Sequence, residues 1–313
     1  MILRLGHAEF FVQDLEKSRE FYVDVLGFVE ADRDKNHVYL RGIEEFDKYT
    51  LILKKNEYSG LGHMGIRVSS LEDLEILQKK HAELGIQTVM VGDGDHPGQG
   101  KALRVAEPFG FPVEYYHQME QISVYDSNGD VVLPMRRSHT QRGMCPQVID
   151  HVNLRVTSVD QALEYWQAMD FSISEYIQGE SEKLAAWTRR KTSTHDVALV
   201  KADTVGLHHL AYRVRTFEDV VKAADLVVDA GYADLLDFGP GRHGATNAFY
   251  LYFRDPDNNR LEIYTGDYNR DLDLPPIRWE HRNYKERGML WWRGETPPKS
   301  FYEIAALNKN WIR

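Results

Sequence analysis

The chain carries two histidine, histidine, glutamate sets: His7, His63, Glu114 and His151, His209, Glu262. Each set comes from three short β-like runs. The first uses "GHAEF", "GHMGIRV" and "VEYY"; the second uses "DHVNLRV", "HHLAYRV" and "RLEIY". Two neutral imidazoles and one carboxylate are the donor set of an open, non-haem Fe(II) site, which leaves about three positions for substrate and oxygen. Strand period two puts His151 and Asn153 on one face, and Glu262 and Tyr264 on one face. The adjacent His208 and His209 are expected on opposite faces, so at most one of them faces a given site. A charged Glu262 between Leu261 and Ile263 is costly to bury unless paired or metal-bound. Its strand pattern taken alone slightly favours a glutamate that faces water.

The sets occur twice because the chain is repeated. "LGHAEFFVQDLEKSREFYVDVLGF" (5–28) aligns with "IDHVNLRVTSVDQALEYWQAMDF" (149–171). "GHMGIRVSSLEDLEILQKKHAELGI" (62–86) aligns with "HHLAYRVRTFEDVVKAADLVVDAGY" (208–232), and "EPFGFPVEYY" (107–116) with "DPDNNRLEIY" (255–264). The offsets drift slowly, 144 for His7 and His151, 146 for His63 and His209, 148 for Glu114 and Glu262, which chance matches do not do. Each half also repeats within itself as strand, capped amphipathic helix and further strands. The expected fold is α+β, four βαβββ modules paired into two domains. The boundaries read as 1–120 for the N-terminal, non-catalytic domain, 121–147 for a polar linker, 148–268 for the C-terminal, metal-binding domain and 269–313 for a tail or lid. The tail is Pro- and Trp-rich without helical period and is expected to wrap over a surface.

The three donor types cannot say which copy works; their surroundings can. Opposite His195, in "TSTHDVALV", the first half has Tyr49. Opposite Asn153 it has Glu9, opposite Tyr252 it has Arg104, and opposite His208 it has Gly62. Groups that hold or shuttle protons near neutral pH gather only in the second copy. The C-terminal half is therefore expected to be the active one, and the first triplet to be a relic or a packing set.

A net charge of −10 argues against a nucleic-acid or anionic-membrane partner. Hydrophobic residues at 42% and charged residues at 27% fit an ordinary soluble globular protein. A single cysteine, Cys145, permits no intrachain disulfide and points to a reducing cytoplasm. No signal-peptide pattern opens the sequence and no long apolar run follows. "GPGRHG" (239–244) lacks the spacing of a phosphate loop.

The set "DHVNLRV", "HHLAYRV" and "NRLEIY" resembles the extradiol catechol ring-cleaving dioxygenases of the vicinal oxygen chelate superfamily. "GPGRHGATNAFYLYFRDPDNNRLEIYTGDY" (239–268) and "AAWTRRKTSTHD" (185–196) most resemble the homoprotocatechuate (3,4-dihydroxyphenylacetate) 2,3-dioxygenases. The resemblance implies two glyoxalase/dihydroxybiphenyl dioxygenase-like domains and a homotetramer. It implies His151, His209 and Glu262 as Fe(II) ligands, with Mn(II) held by the same set in close relatives. It implies His195 as the acid/base beside bound oxygen and Tyr252 as a hydrogen-bond donor to the reacting oxygens. Asn153, Trp187, His208 and His243 match residues that line or support the pocket. Two arginines bind the substrate carboxylate in the homoprotocatechuate enzymes. One falls where this chain has Phe238; the other falls in the tail, where Arg287 or Arg293 stands two residues out of register. The loss at Phe238 weakens selection of an acid and points also to an uncharged alkyl- or aryl-catechol.

Such a site uses a catechol and O2. Adjacent hydroxyls chelate one metal, their pKa falls, and a base must take the second proton. Histidine suits that task by pKa, which makes His195 the candidate, with Tyr252 steadying oxyanion charge. Bland readings stand beside these: His195 as a turn cap, Tyr252 as sheet filler and His243 as a plain loop histidine. Two competing functions share the scaffold, a metal-dependent isomerase and a non-enzymatic binding module. The former needs extra carboxylate ligands that the sequence does not offer, and the latter has no use for a proton shuttle.

Overall fold

Four times along the chain a strand leads into a helix and then into three strands. The first module is β1 (Ile2–Val12), α1 (Leu15–Glu20), β2 (Val29–Arg33), β3 (His37–Arg41) and β4 (Leu51–Lys55). The second is β5 (Gly60–Val68), α2 (Leu71–Glu83), β6 (Thr88–Val91), β7 (Ala102–Ala106) and β8 (Pro112–Tyr116). The third is β9 (Val148–Val156), α3 (Val159–Ala168), β10 (Ser172–Gln178), β11 (Lys183–Arg189) and β12 (Val197–Lys201). The fourth is β13 (Gly206–Arg213), α4 (Phe217–Asp229), β14 (Leu236–Arg242), β15 (Phe249–Arg254) and β16 (Arg260–Thr265). The structure, a computed structural model, describes residues 1–133, 142–288, 290–291 and 297–312. Linker residues 134–141 lie outside them.

Each helix starts where the sequence provides an oxygen for its free amides. Asp14, Ser70, Ser158 and Thr216 accept from the backbone N–H three residues on, and Asp73 and Asp219 complete reciprocal capping boxes. Modules pair through their first strands. β1 and β5 run antiparallel at the centre of one sheet, β9 and β13 at the centre of the other. Each also pairs in parallel with the last strand of its own module: β1 with β4, β5 with β8, β9 with β12 and β13 with β16. Strands β16, β13 and β9 are therefore immediate neighbours in the second sheet, and each brings one member of the second donor set.

Period-two alternation sorts the side chains of these strands. Val152, Leu154, Leu210, Tyr212, Leu261 and Ile263 enter a core continuous through both halves. His151, Asn153, His209, Glu262 and Tyr264 face the other way, into a cavity. The helices join the halves. Phe28 of the first module meets Tyr212 edge-on at 4.7 Å. Tyr22 donates to Asp255 and Ser18 to Asp257, both in the turn before β16. Tyr165 of α3 packs into the second module, where its hydroxyl lies 3.0 Å from both His81 Nε2 and Tyr115 Oη.

The tail has more regular structure than its sequence announces. β17 (Ile277–Glu280) adds to the second sheet in parallel with β10. Helix α5 (His281–Arg287) follows, and β18 (Ala306–Leu307) adds to the first sheet beside β5. These pairings are with distant sheet edges, which a local periodicity reading does not register. The tail thus pairs with both sheets and lines the cavity with Phe301 and Tyr302.

Replacing Tyr165 by Phe leaves His81 and Tyr115 without their shared partner. It is expected to lower stability by about 1–2 kcal/mol in chemical denaturation, with turnover unchanged.

Candidate metal centre

His151, His209 and Glu262 converge. His151 Nε2 and His209 Nε2 lie 3.2 Å apart, and Glu262 Oε2 lies 3.1 and 3.0 Å from them. All three side chains are buried, and they open onto a cavity of about 660 Å³. The glutamate does not face water, contrary to the reading its strand pattern slightly favoured. Burial opposes its charge, but hydrogen bonds and charge from His151 and His209 hold its pKa well below the usual carboxylate range.

Two β-bulges orient the imidazoles. On β9 the pairing with β13 skips Asp150, and on β13 it skips His208. The extra residue breaks the alternation, so Asp150 and His208 reach the same side as the histidine that follows each. This corrects the expectation that His208 and His209 must face apart: both line the cavity. Asp150 Oδ2 lies 2.8 Å from His151 Nδ1, which fixes the proton on Nδ1 and leaves the Nε2 lone pair for a metal. His209 is fixed in two steps. His208 Nε2 donates to the carbonyl of Phe301 at 2.6 Å, so in neutral His208 the Nδ1 is an acceptor. His209 Nδ1, 2.7 Å away, donates to it, and His209 Nε2 keeps its lone pair.

Around the donors stand the other groups singled out in the sequence. His195 lies over His151 with ring centroids 3.8 Å apart, and its Nδ1 is 2.8 Å from Thr194 Oγ1. Burial, and then the charge of His151, push its pKa well below that of a free imidazole. Tyr252 Oη is 3.0 Å from His243 Nε2, and burial with Glu262 nearby drives its pKa well above 10. His243 stacks on Tyr250 at 4.0 Å and is held neutral by burial, with a pKa of about 4. Asn153 and Trp187 line the cavity, and the buried Asn153 Oδ1 has no hydrogen-bond partner. Arg287 is exposed on α5 and does not line the cavity; Arg293 lies outside the described residues. The lining residues the sequence reading missed include Thr194, Arg155, Tyr284 and Phe301. Arg155 carries a period-two signal, two residues beyond Asn153.

The model of the glyoxalase/bleomycin resistance protein/dioxygenase superfamily matches residues 4–115 and 148–263. The chain belongs to that superfamily. Its relatives lie among the extradiol dioxygenases. It is 30% identical over 304 residues to a manganese-dependent 2,3-dihydroxybiphenyl 1,2-dioxygenase of Geobacillus genomosp. 3, covering 95% of this chain and 96% of that protein. It is 30% identical to a metapyrocatechase of Pseudomonas sp. (strain CF600), covering 89% and 91%. A solved homoprotocatechuate 2,3-dioxygenase of Brevibacterium fuscum, in complex with 3,4-dihydroxyphenylacetate, superposes with a TM-score of 0.90 at 35% identity, covering 98% of this chain and 93% of that one.

The donor chemistry of this superfamily member fits a divalent metal, Fe(II) or Mn(II). Two imidazole lone pairs and one carboxylate converge at one point, with both outer imidazole nitrogens anchored. Burial disfavours a charge on His151, yet Asp150 and Glu262 outweigh it and raise its pKa to about 9. Loading a metal at neutral pH therefore displaces a proton.

The first copy has the same backbone and lacks the same support. Two of its three bulges fall on Gly6 and Gly62, the counterparts of Asp150 and His208. A Cβ at Gly6 would meet Tyr116 Oη at 1.9 Å, and one at Gly62 would meet Glu9 Oε1 at 2.2 Å. No side chain from the bulged positions holds the outer nitrogens; His7 Nδ1 and His63 Nδ1 lack a hydrogen-bond partner, with Glu9 Oε1 3.6 Å from the latter. His7 Nε2 and His63 Nε2 still approach to 2.9 Å, but Glu114 is taken up by Gln99 and Arg104 and stands 3.8–3.9 Å from them. Trp311 stacks on His63 at 4.7 Å.

His209→Ala is expected to lose bound metal and turnover together, while His63→Ala keeps about one metal per chain. Metal analysis of anaerobically purified variants reads the outcome.

Proposed function

We propose that the chain cleaves a catechol ring with O2 beside its two hydroxyls, in the C-terminal domain (148–268), under the tail (269–313). His151, His209 and Glu262 would hold the metal. The observation that carries this is the convergence of the three buried donors at the floor of a cavity that also holds a neutral His195 and a protonated Tyr252. When bound, Fe(II) or Mn(II) would chelate the two hydroxyls, lower their pKa and pass electron density from the catecholate to O2.

The residues of the chain do the rest. In the tautomer whose Nδ1–H donates to Thr194 Oγ1, 2.8 Å away, His195 keeps a lone pair on Nε2 that would take a hydroxyl proton from the catechol and later return it. In the tautomer whose Nε2–H donates to the Tyr252 oxygen, His243 would leave the Tyr252 proton, which otherwise hydrogen-bonds Glu262, for oxygen atoms that gain charge. The Asn153 amide offers an unfilled acceptor in the same wall. Trp187, Phe238, Phe301 and Tyr284 make much of the remaining lining apolar, which excludes water from the ring.

The cavity is larger than an unsubstituted catechol needs, which favours a ring with a side chain. The first reading of the substrate is 3,4-dihydroxyphenylacetate, supported by the similarity to the homoprotocatechuate enzymes. A second is an uncharged aryl-catechol, favoured by Phe238 stacked with Tyr250 at 5.8 Å and tilted against Phe301 at 5.1 Å. The proposal includes a cytoplasmic homotetramer, on family resemblance; no described helix is long and apolar enough to cross a membrane.

A panel of 3,4-dihydroxyphenylacetate, catechol, alkylcatechols and 2,3-dihydroxybiphenyl, read by oxygen uptake and the yellow ring-opened product, tests the assignment. Metal-loaded enzyme that opens none of them overturns it. His195→Asn is expected to retain metal and catechol binding while slowing turnover about 100-fold or more. An unchanged kcat returns His195 to a structural role.

A further inference from the structure

Among the described residues, one cation in the cavity wall has no counter-charge. His151, Asn153 and Arg155 alternate along β9, share its inner face and all line the cavity. Along the strand Arg155 lies about 13 Å from His151, a gap that an arginine side chain and a substituted benzene ring close between them. The Arg155 Nε is buried and has no hydrogen-bond partner. Among the described residues, no carboxylate lies within ion-pair distance of its guanidinium. The neighbouring cations are matched. Arg260 binds Asp237 and the carbonyls of His208, Glu303 and Ser300. Arg254 binds Glu303, and Lys201 pairs with Glu182.

The surroundings make this state costly. Burial, and then the charge of Arg260, lower the Arg155 pKa to about 10. Arg155 in turn helps to hold His208 neutral. A half-buried guanidinium with a buried, unpartnered Nε and no anion is suited to a ligand that supplies one. The planar fork of arginine matches a carboxylate with two parallel hydrogen bonds. The cavity lining also has Phe238 and no described tail arginine.

We propose that Arg155 is the anion anchor of this cavity and selects catechols whose side chain ends in a carboxylate. The ring sits at His151, His209 and Glu262, and the side chain runs past Asn153 to the guanidinium. This rests on the ring-cleavage reading and names its substrate class. Arg155 acts on binding and leaves the bond-breaking steps to the groups around the metal.

The test pairs 3,4-dihydroxyphenylacetate with uncharged 4-methylcatechol on metal-loaded wild type, Arg155→Lys and Arg155→Met. Calorimetry without O2 gives Kd, and oxygen uptake gives KM and kcat. Arg155→Met is expected to raise Kd and KM for the acid about tenfold or more, with kcat within about twofold and 4-methylcatechol unaffected. Arg155→Lys retains part of the preference. An unchanged Kd for the acid in Arg155→Met, or equal weakening of both ligands, overturns the assignment. Turnover of both catechols that is indifferent to Arg155 overturns the anchor and keeps the ring-cleavage reading. Arg155-dependent binding of the acid with neither catechol cleaved does the reverse.

Discussion

The carboxylate of Glu262 is buried at the end of a cavity, and the architecture around it exists to make that tolerable. A lone carboxylate there would take up a proton rather than stay charged. It stays charged because His151, whose own pKa is raised, meets it at 3.1 Å, while His209 approaches from the neighbouring strand at 3.0 Å. That geometry needs β16, β13 and β9 side by side. It also needs each imidazole turned with the correct nitrogen inward, which Asp150 and His208 accomplish from bulged positions.

The support extends beyond the second half. His151 is held by Asp150, Asp150 by Lys191 at 2.9 Å, and Lys191 stands 3.8 Å from Asp196. Asp196 in turn accepts the backbone N–H of Leu5, on the first strand of the other half. On the second imidazole the chain of contacts runs through His208 to the carbonyl of Phe301 in the tail. Each ligand is therefore braced by a segment distant in sequence, one from the N-terminal half and one from the C-terminal tail. The N-terminal half contributes to the centre without a donor of its own in it.

The two halves show how a duplicated fold can keep a donor set and lose its setting. Both preserve the histidine pair, the glutamate and both bulges. In the first half the bulged positions are glycines, and the space a side chain would need is filled by Tyr116 and Glu9. Arg104 and Gln99 already satisfy Glu114, so its charge is answered by the protein itself. Packing in the first half answers the glutamate charge, whereas the second half leaves a donor set that could hold a dication.

The sequence by itself determined the four βαβββ modules, the helix caps and the two donor sets, because these follow from residue spacing and short-range hydrogen bonding. The contrast of His195, Asn153 and Tyr252 with Tyr49, Glu9 and Arg104 was also legible, since the internal repeat supplies its own alignment. Only the tertiary structure decided that His208 and His209 share a side, because a bulge is a property of strand pairing and not of one strand. It alone placed Phe301 against His208, joined β17 and β18 to the two sheets, and left Arg287 at the surface. Arg155 shows the division most plainly. Period two places it on the face of His151 and Asn153, but that its charge is unanswered depends on which carboxylates the fold brings near, and Asp237, Glu182 and Glu303 each went to another cation.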